Sequence, residues 1–292
     1  MTSMQRAVLV GLGTYNDGTA ELDWAAAEAQ VRGVQLRVVR TYHLVEGTQP
    51  WPNPIDDGWK ADLRREAEGR VAAALSYLGE RWPAVAVTSR VVDGVAWQVL
   101  IEESAEAAVT VVGSRQLGPI GAAALGSVST VVAAASAGPV VVVGRPGASA
   151  AEPGSVIVGV DGSEHGDEVL AFAFEYASLH RRPLHAVYCW RPDLLATSQW
   201  RGARPAPERA SRWLAEALAG WQEKHPDVQL HHGVVRDHPV AGLVAASAGQ
   251  ELLVVGGHAK HARVMAMLGS VSQGVLHHAT CPVAVIHPRT SS

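Results

Sequence analysis

Two cysteines, two phenylalanines and a charged fraction of 18% are little for a chain of 292 residues. So few cysteines exclude a disulfide framework and a Cys-x-x-Cys metal site, and a reduced compartment is the expectation. An excess of positive charge is also missing. The net charge is −4, which argues against a dedicated nucleic-acid binder or a polybasic membrane binder. There is no long apolar run. The longest, Val131 to Val143, is interrupted by Gly138-Pro139 and is too short to span a bilayer. No basic segment with a cleavage site precedes the apolar stretch Ala7 to Val10, so a cytoplasmic protein is expected. Three nucleotide and hydrolase signatures are absent as well. Gly11-x-Gly13 is followed by Gly18 rather than by a glycine at the dinucleotide spacing, and neither a Walker-type G-x-x-x-x-G-K-[ST] nor a G-x-S-x-G elbow occurs.

What is present is an internal repeat. Gly126-Ser127-Val128-Ser129 recurs as Gly269-Ser270-Val271-Ser272, Val111-Val112-Gly113 as Val254-Val255-Gly256, and Pro139-Val140 as Pro282-Val283, each 143 residues later. Leu9-Val10-Gly11 recurs as Ile157-Val158-Gly159, 148 residues later. Separated segments sharing nearly one offset mark two copies of one unit. The expected domains are 1–147 and 155–292, joined through the Pro/Gly-rich stretch from Arg145 to Gly154.

Each copy alternates short β-branched runs with segments of helical apolar spacing. In the second copy strands are expected near 155–160, 184–189, 228–235, 252–255 and 283–286, with helices near 164–180, 208–224, 240–248 and 270–279. Continuous Val/Leu/Ile strands are buried on both faces, as in a parallel sheet covered by helices. The expected fold class is therefore α/β, with two tandem doubly wound parallel-sheet domains. Ligands of such sheets sit beyond the carboxyl ends of the strands. The loops after the first and fourth strands of each copy are the places to look.

After the fourth strand the copies read Gly113-Ser114-Arg115 through Gly126-Ser127-Val128-Ser129, and Gly256-Gly257-His258 through Gly269-Ser270-Val271-Ser272. Glycine lets the backbone approach a ligand. Gly-Ser then opens a helix, with the serine able to cap it, and a helix start suits phosphate. The paired serines Ser127/Ser129 and Ser270/Ser272 can add hydroxyl contacts. A lone Gly-Ser is more often a plain cap; recurrence at the same place in both copies favours phosphate.

On these residues, together with Val158-Gly159-Val160-Asp161-Gly162-Ser163 and Cys281-Pro282-Val283-Ala284-Val285, the chain resembles the universal stress protein family in its tandem form, over nearly its whole length. The resemblance implies two five-stranded, adenine nucleotide alpha hydrolase-like domains. It implies ATP or another adenine nucleotide as a regulatory ligand in a stress response, with or without Mg, and at most slow ATP hydrolysis. Its ATP-binding pattern Gly-x2-Gly-x9-Gly-Ser/Thr finds its outer elements in Gly113 with Gly126-Ser127 and in Gly256 with Gly269-Ser270. Gln116 and Ala259 replace the second glycine. By the same resemblance Val160, Asp161 and Val187 face the nucleoside in the second copy, and Val39 does so in the first, which has no carboxylate matching Asp161. Arg115 in the first copy, and His258, Lys260, His261 and Arg263 in the second, are candidate phosphate partners. The second copy is thus expected to be the better site. The resemblance also implies that the last strands, Val140 to Val143 and Val283 to Ile286, pair within the chain, and that a second chain can join as a homodimer. A nucleotide-free scaffold of the same fold is the alternative.

Three further expectations concern side chains. No metal site is expected, because the histidines lack a cysteine or carboxylate cluster at ligand spacing. Trp213 and Trp221, eight residues apart, are expected on one core-facing helical side, and core packing is also the expectation for Trp51, Trp59, Trp190 and Trp200. Cys189 and Cys281 are expected to be buried small hydrophobes.

Overall fold

The computed structural model describes residues 6–13, 19–43, 57–114, 126–144, 154–163, 166–190, 207–257 and 268–287. The first copy runs β1 (Ala7–Gly11), α1 (Thr19–Arg32), β2 (Leu36–Tyr42), α2 (Asp57–Arg81), β3 (Val87–Asp93), α3 (Ala96–Ser104), β4 (Ala107–Gly113), α4 (Ser127–Ala135) and β5 (Val140–Val143). The second repeats the plan as β6 (Val156–Gly159), α5 (Gly166–His180), β7 (Leu184–Cys189), α6 (Pro207–Lys224), β8 (Leu230–Val235), α7 (Pro239–Ser247), β9 (Leu252–Gly256), α8 (Ser270–His278) and β10 (Val283–Ile286). The interdomain stretch 145–153 lies outside the described residues.

The copies do not keep separate sheets. Their strands form one ten-stranded sheet in the order β3-β2-β1-β4-β5-β10-β9-β6-β7-β8. Neighbours within each copy are parallel. Only β5 and β10 meet antiparallel, with Val140 opposite Val285 and Val142 opposite Val283. The apolar terminal strands, which would be sticky edges if exposed, thus cover each other.

The strand sequences explain the layering. Successive side chains alternate between faces. Val8, Val10, Val38, Val109 and Val111 join a core with α1, α2, α5 and α6. Leu9, Val39, Val112, Leu253 and Val255 join a second core with α3, α4, α7 and α8. Every residue of β5 and of β10 is buried. Full burial of a valine side chain contributes about 1.5–3 kcal/mol, so the seam is a strong apolar joint.

Polar contacts lock the seam on both faces. On one, Glu28 of α1 is 1% exposed and accepts from Arg32 Nε at 2.5 Å; it also lies 2.7 Å from His180 Nε2 of α5. Arg32 reaches across to Glu175 at 2.6 Å. Trp24 and His180 stack on Tyr176, at centroid distances of 6.3 and 4.0 Å. Burial pushes the Glu28 carboxyl up, but the His180 hydrogen bond and the Arg32 charge outweigh it and hold the group below its ordinary value. On the other face His287, just past β10, hydrogen-bonds the Ala133 carbonyl of α4 at 2.7 Å.

The tryptophans divide. Trp213 and Trp221 pack half-buried against the core, Trp213 edge-on to Tyr188 at 5.5 Å. Trp190 packs there too, with the Arg236 guanidinium 5.5 Å above its ring. Trp59 departs from the core expectation: it lies on α2 and is 64% exposed. Trp51 and Trp200 lie outside the described residues. Both cysteines are buried and free.

Candidate functional site

In each copy the central strand has its neighbours leaving in opposite directions, so a crevice opens where strand order reverses. It lies between β1 and β4 in the first copy and between β6 and β9 in the second. The backbone turns that bound the crevices follow from the repeated glycines.

In the first copy Gly113 ends β4, and Gly126 is the N-cap of α4, with φ −66° and ψ 148° and no side-chain cap bond. Ser127, which could have capped, is the first helical residue, and its side chain is exposed. The first helical bond runs from Thr130 N–H to the Gly126 carbonyl, at 2.9 Å. The N–H groups of Ser127, Val128 and Ser129 therefore have no acceptor within the helix, and the positive end of its dipole sits there. Ser129 is buried and donates its hydroxyl to the Gly113 carbonyl at 2.6 Å. It ties the helix start to the end of β4 rather than offering a free hydroxyl donor.

The second copy has the same design. Gly256 ends β9, and Gly269 caps α8 with φ −62° and ψ 153°, again without a side-chain cap bond. Gln273 N–H bonds the Gly269 carbonyl at 2.9 Å, which leaves the N–H groups of Ser270, Val271 and Ser272 directed out of the helix end. Ser272, 2% exposed, donates to the Gly256 carbonyl at 2.5 Å. Ser270 is exposed. Gly257 N–H bonds the Ile286 carbonyl at 2.7 Å, and the His287 ring lies across its α-carbon, where a Cβ would stand 2.6 Å from Nδ1. Burial lowers the His287 pKa, opposed by the Ala133 carbonyl. The ring is thus favoured neutral, and its Nε2–H serves the carbonyl.

Val39, Val160, Asp161 and Val187 are the residues expected to face a nucleoside. Val39, in the middle of β2, and Val187, on β7, are both buried. Val160 N–H bonds the Val187 carbonyl at 2.9 Å, which fixes the turn after β6. Asp161 is exposed and accepts from Ser163 N–H at 2.9 Å. Gly162 follows at φ 74°, where a Cβ would stand 3.0 Å from the Trp213 ring, so glycine is needed there for conformation and for space. Arg115, Gln116, His258, Ala259, Lys260, His261 and Arg263 lie outside the described residues.

A cavity of about 160 Å³ occupies the crevice of the first copy, and Val39, Gly113, Gly126, Val128 and Ser129 all line it. Two charged residues that sequence reasoning missed line it too. Glu21, in the first turn of α1, is 3% exposed, and Arg40, on β2, is 7% exposed. Arg40 Nη1 donates to the Leu12 carbonyl at 3.0 Å; burial lowers its pKa, as does the charge of Arg70, while Glu66 opposes. Lone charged residues within apolar helical and strand patterns carry no signal of burial. The repeat register could have exposed them: Glu21 and Arg40 stand 148 residues before Val169 and Tyr188.

Among the described residues no group of three or more His, Cys, Asp or Glu side chains could hold a metal ion. His231 faces His185 across β7 and β8 with ring centroids 4.7 Å apart, and burial and then the His231 charge lower the His185 pKa. No described helix is long and apolar enough to cross a membrane.

A model of the universal stress protein family matches the chain twice, over residues 4–144 and 154–287. A universal stress protein of Mycobacterium tuberculosis is 35% identical over 288 residues, covering 96% of this chain and 97% of that protein. One of Mycolicibacterium smegmatis is 31% identical over 302 residues, with 99% of each covered. The crystal structure of a universal stress protein from Archaeoglobus fulgidus superposes with a TM-score of 0.73 over 97% of this chain and 98% of that one, at 19% identity.

Proposed function

The chain belongs to the universal stress protein family, in tandem form, and from that premise we propose that it binds ATP or another adenine nucleotide as a regulatory ligand in a cytoplasmic stress response. The observation that carries the reading is the repeated helix start. In both copies a glycine ends the fourth strand, a glycine caps the next helix, and three N–H groups leave that helix without an internal acceptor. Such an end is suited to a phosphate chain. Val39 and Val187 offer an apolar wall for a base, and Asp161 a carboxylate for sugar hydroxyls. A Mg ion would arrive with the phosphates, its remaining positions filled by water. The output in this reading is a change of conformation or partner rather than turnover, since among the described residues no group of three or more His, Cys, Asp or Glu side chains could hold a catalytic metal. Since β5 and β10 already cover each other, a homodimer of such chains would use another surface.

A second reading, a nucleotide-free scaffold, is favoured by Gln116 and Ala259 in place of the pattern's second glycine and by the His287 ring over Gly257. Calorimetric titration of ATP into nucleotide-stripped protein, repeated on Gly269→Asp, separates the two. Binding that the substitution abolishes supports a nucleotide site in the second copy. Binding that it spares moves the site to the first copy. An intact chain that takes no ATP at millimolar concentration leaves the scaffold reading standing.

A further inference from the structure

The outer strands of the two copies differ at one matched cluster. In the first copy Arg37 of β2 and Arg90 of β3 both donate to Glu103 of α3, Arg37 at 2.8 Å. Their counterparts, 148 residues after Arg37 and 143 after Arg90 and Glu103, are His185 of β7, Gly233 of β8 and Ala246 of α7. Thr88, which faces Arg37 in the sheet register, becomes His231, which faces His185. Two histidines flanked by glycine and alanine thus replace an Arg-Glu-Arg cluster, and no acid stands at the position of Glu103.

We infer that His185 and His231 chelate one divalent transition-metal ion, of the zinc, nickel and copper class, at the edge of the second copy. The spacing carries the inference. Such an ion holds an imidazole nitrogen at about 2.0–2.1 Å, which places the ring centre about 3.2 Å away; at an angle of about 90–110° between the two ligands, the ring centres stand about 4.5–5.2 Å apart. The His185 and His231 centroids are 4.7 Å apart. An ion can also reach the pair. His231 is exposed on β8, the last strand of the sheet. Gly233, its neighbour on the same face, has open space where a Cβ would point, which leaves room for the water molecules that complete the ion's shell. Imidazole suits these metals, whereas Mg and Ca take oxygen ligands. Burial and the His231 charge favour neutral His185, the form that offers a lone pair. The ion would pin the edge strand β8 to β7, as Glu103 joins β2 and β3 through their arginines in the first copy. Both histidines are the second residue of their strand, at the end away from the crevice, so the inference does not depend on the nucleotide reading.

The test is calorimetric titration of Ni2+ into the full chain, freed of metal and nucleotide, and into His231→Asn, His185→Asn and the control His232→Asn. His232 adjoins His231 but points to the other face of the sheet. The exposed His231 can be replaced without disturbing the core, and thermal melts verify folding. The expected result is one Ni2+ bound per chain, with affinity at least tenfold lower in His231→Asn and in His185→Asn and unchanged in His232→Asn. Saturating Ni2+ should raise the melting temperature of the wild-type chain and not that of His231→Asn. No Ni2+ bound by the wild-type chain, binding that His231→Asn leaves intact, an equal loss in His232→Asn, or equally tight binding of Mg2+ would each overturn the inference.

Discussion

Glu28→Gln is expected to destabilise the chain by about 3 kcal/mol at pH 7, the low end of what removing one partner of a buried ion pair costs. The substitution keeps the shape of a side chain that is 1% exposed and removes its charge. It leaves Arg32, whose side chain is 12% exposed, with Glu175 as its remaining carboxylate, and takes from His180 its charged partner across the seam. Arg32's second partner is the reason for choosing the low end. At about 2.1 cal/mol/K of unfolding entropy per residue, the corresponding fall in melting temperature is about 5 °C for a chain of this size. The pH dependence has a definite sign. Glu28 titrates below its ordinary value in the folded protein, so its contribution is complete above the ordinary glutamate range and disappears as pH falls through the depressed folded value. Urea unfolding of wild type and variant between pH 7 and pH 3 should show curves that converge on the acid side. A cycle with His180→Gln isolates the contact between copies, and a coupling above about 0.5 kcal/mol is expected for groups in one network. A loss below about 1 kcal/mol at pH 7, or a difference that grows as pH falls, would refute the reasoning.

Two further outcomes follow from packing. Gly257→Ala should cost about 1–3 kcal/mol in urea unfolding because its methyl meets the anchored His287 ring, whereas Gly220→Ala on α6, where nothing stands within 4 Å, should be stabilising by about 0.5–1 kcal/mol. Cys189, whose thiol burial and then the Asp237 charge push up to about 11, should resist iodoacetamide at pH 8 in the folded protein and react on unfolding; rapid alkylation of the native chain would contradict that burial.

The repeat made most of the architecture legible. Two of the second copy's strands, Leu184–Cys189 and Val283–Ile286, have the limits their largely apolar runs suggest, because a proline (Pro183, Pro282) stands immediately before each and fixes where it starts. The glycine-bounded loops sit at the carboxyl ends of β4 and β9, where the alternation places them. The finer chemistry was less legible. The sequence leaves a serine able to cap each helix, but a glycine occupies the cap, and the serine two residues further into each helix spends its proton on the strand's last carbonyl. That bond joins residues 16 apart, and local preference says nothing of it. Glu28 and His180 lie 152 residues apart on helices that read as amphipathic, so their burial depends on how the copies dock. Glu21 is buried for the same kind of reason, by the end of a strand some ninety residues later.

The antiparallel joint between β5 and β10 has a consequence for symmetry. Every other neighbouring pair in the sheet is parallel, so reversing direction once at the centre points the carboxyl ends of the two halves to opposite sides of the molecule. The two crevices therefore open away from each other, each to its own surroundings. A pair of identical chains joined this way would carry identical crevices and would separate on dilution. Linked in one chain, the halves meet at an effective concentration set by the tether and independent of how much protein is present. Freed from identity, each half can change its own residues without altering the other, as Glu21 in one copy and Val169 in the other show.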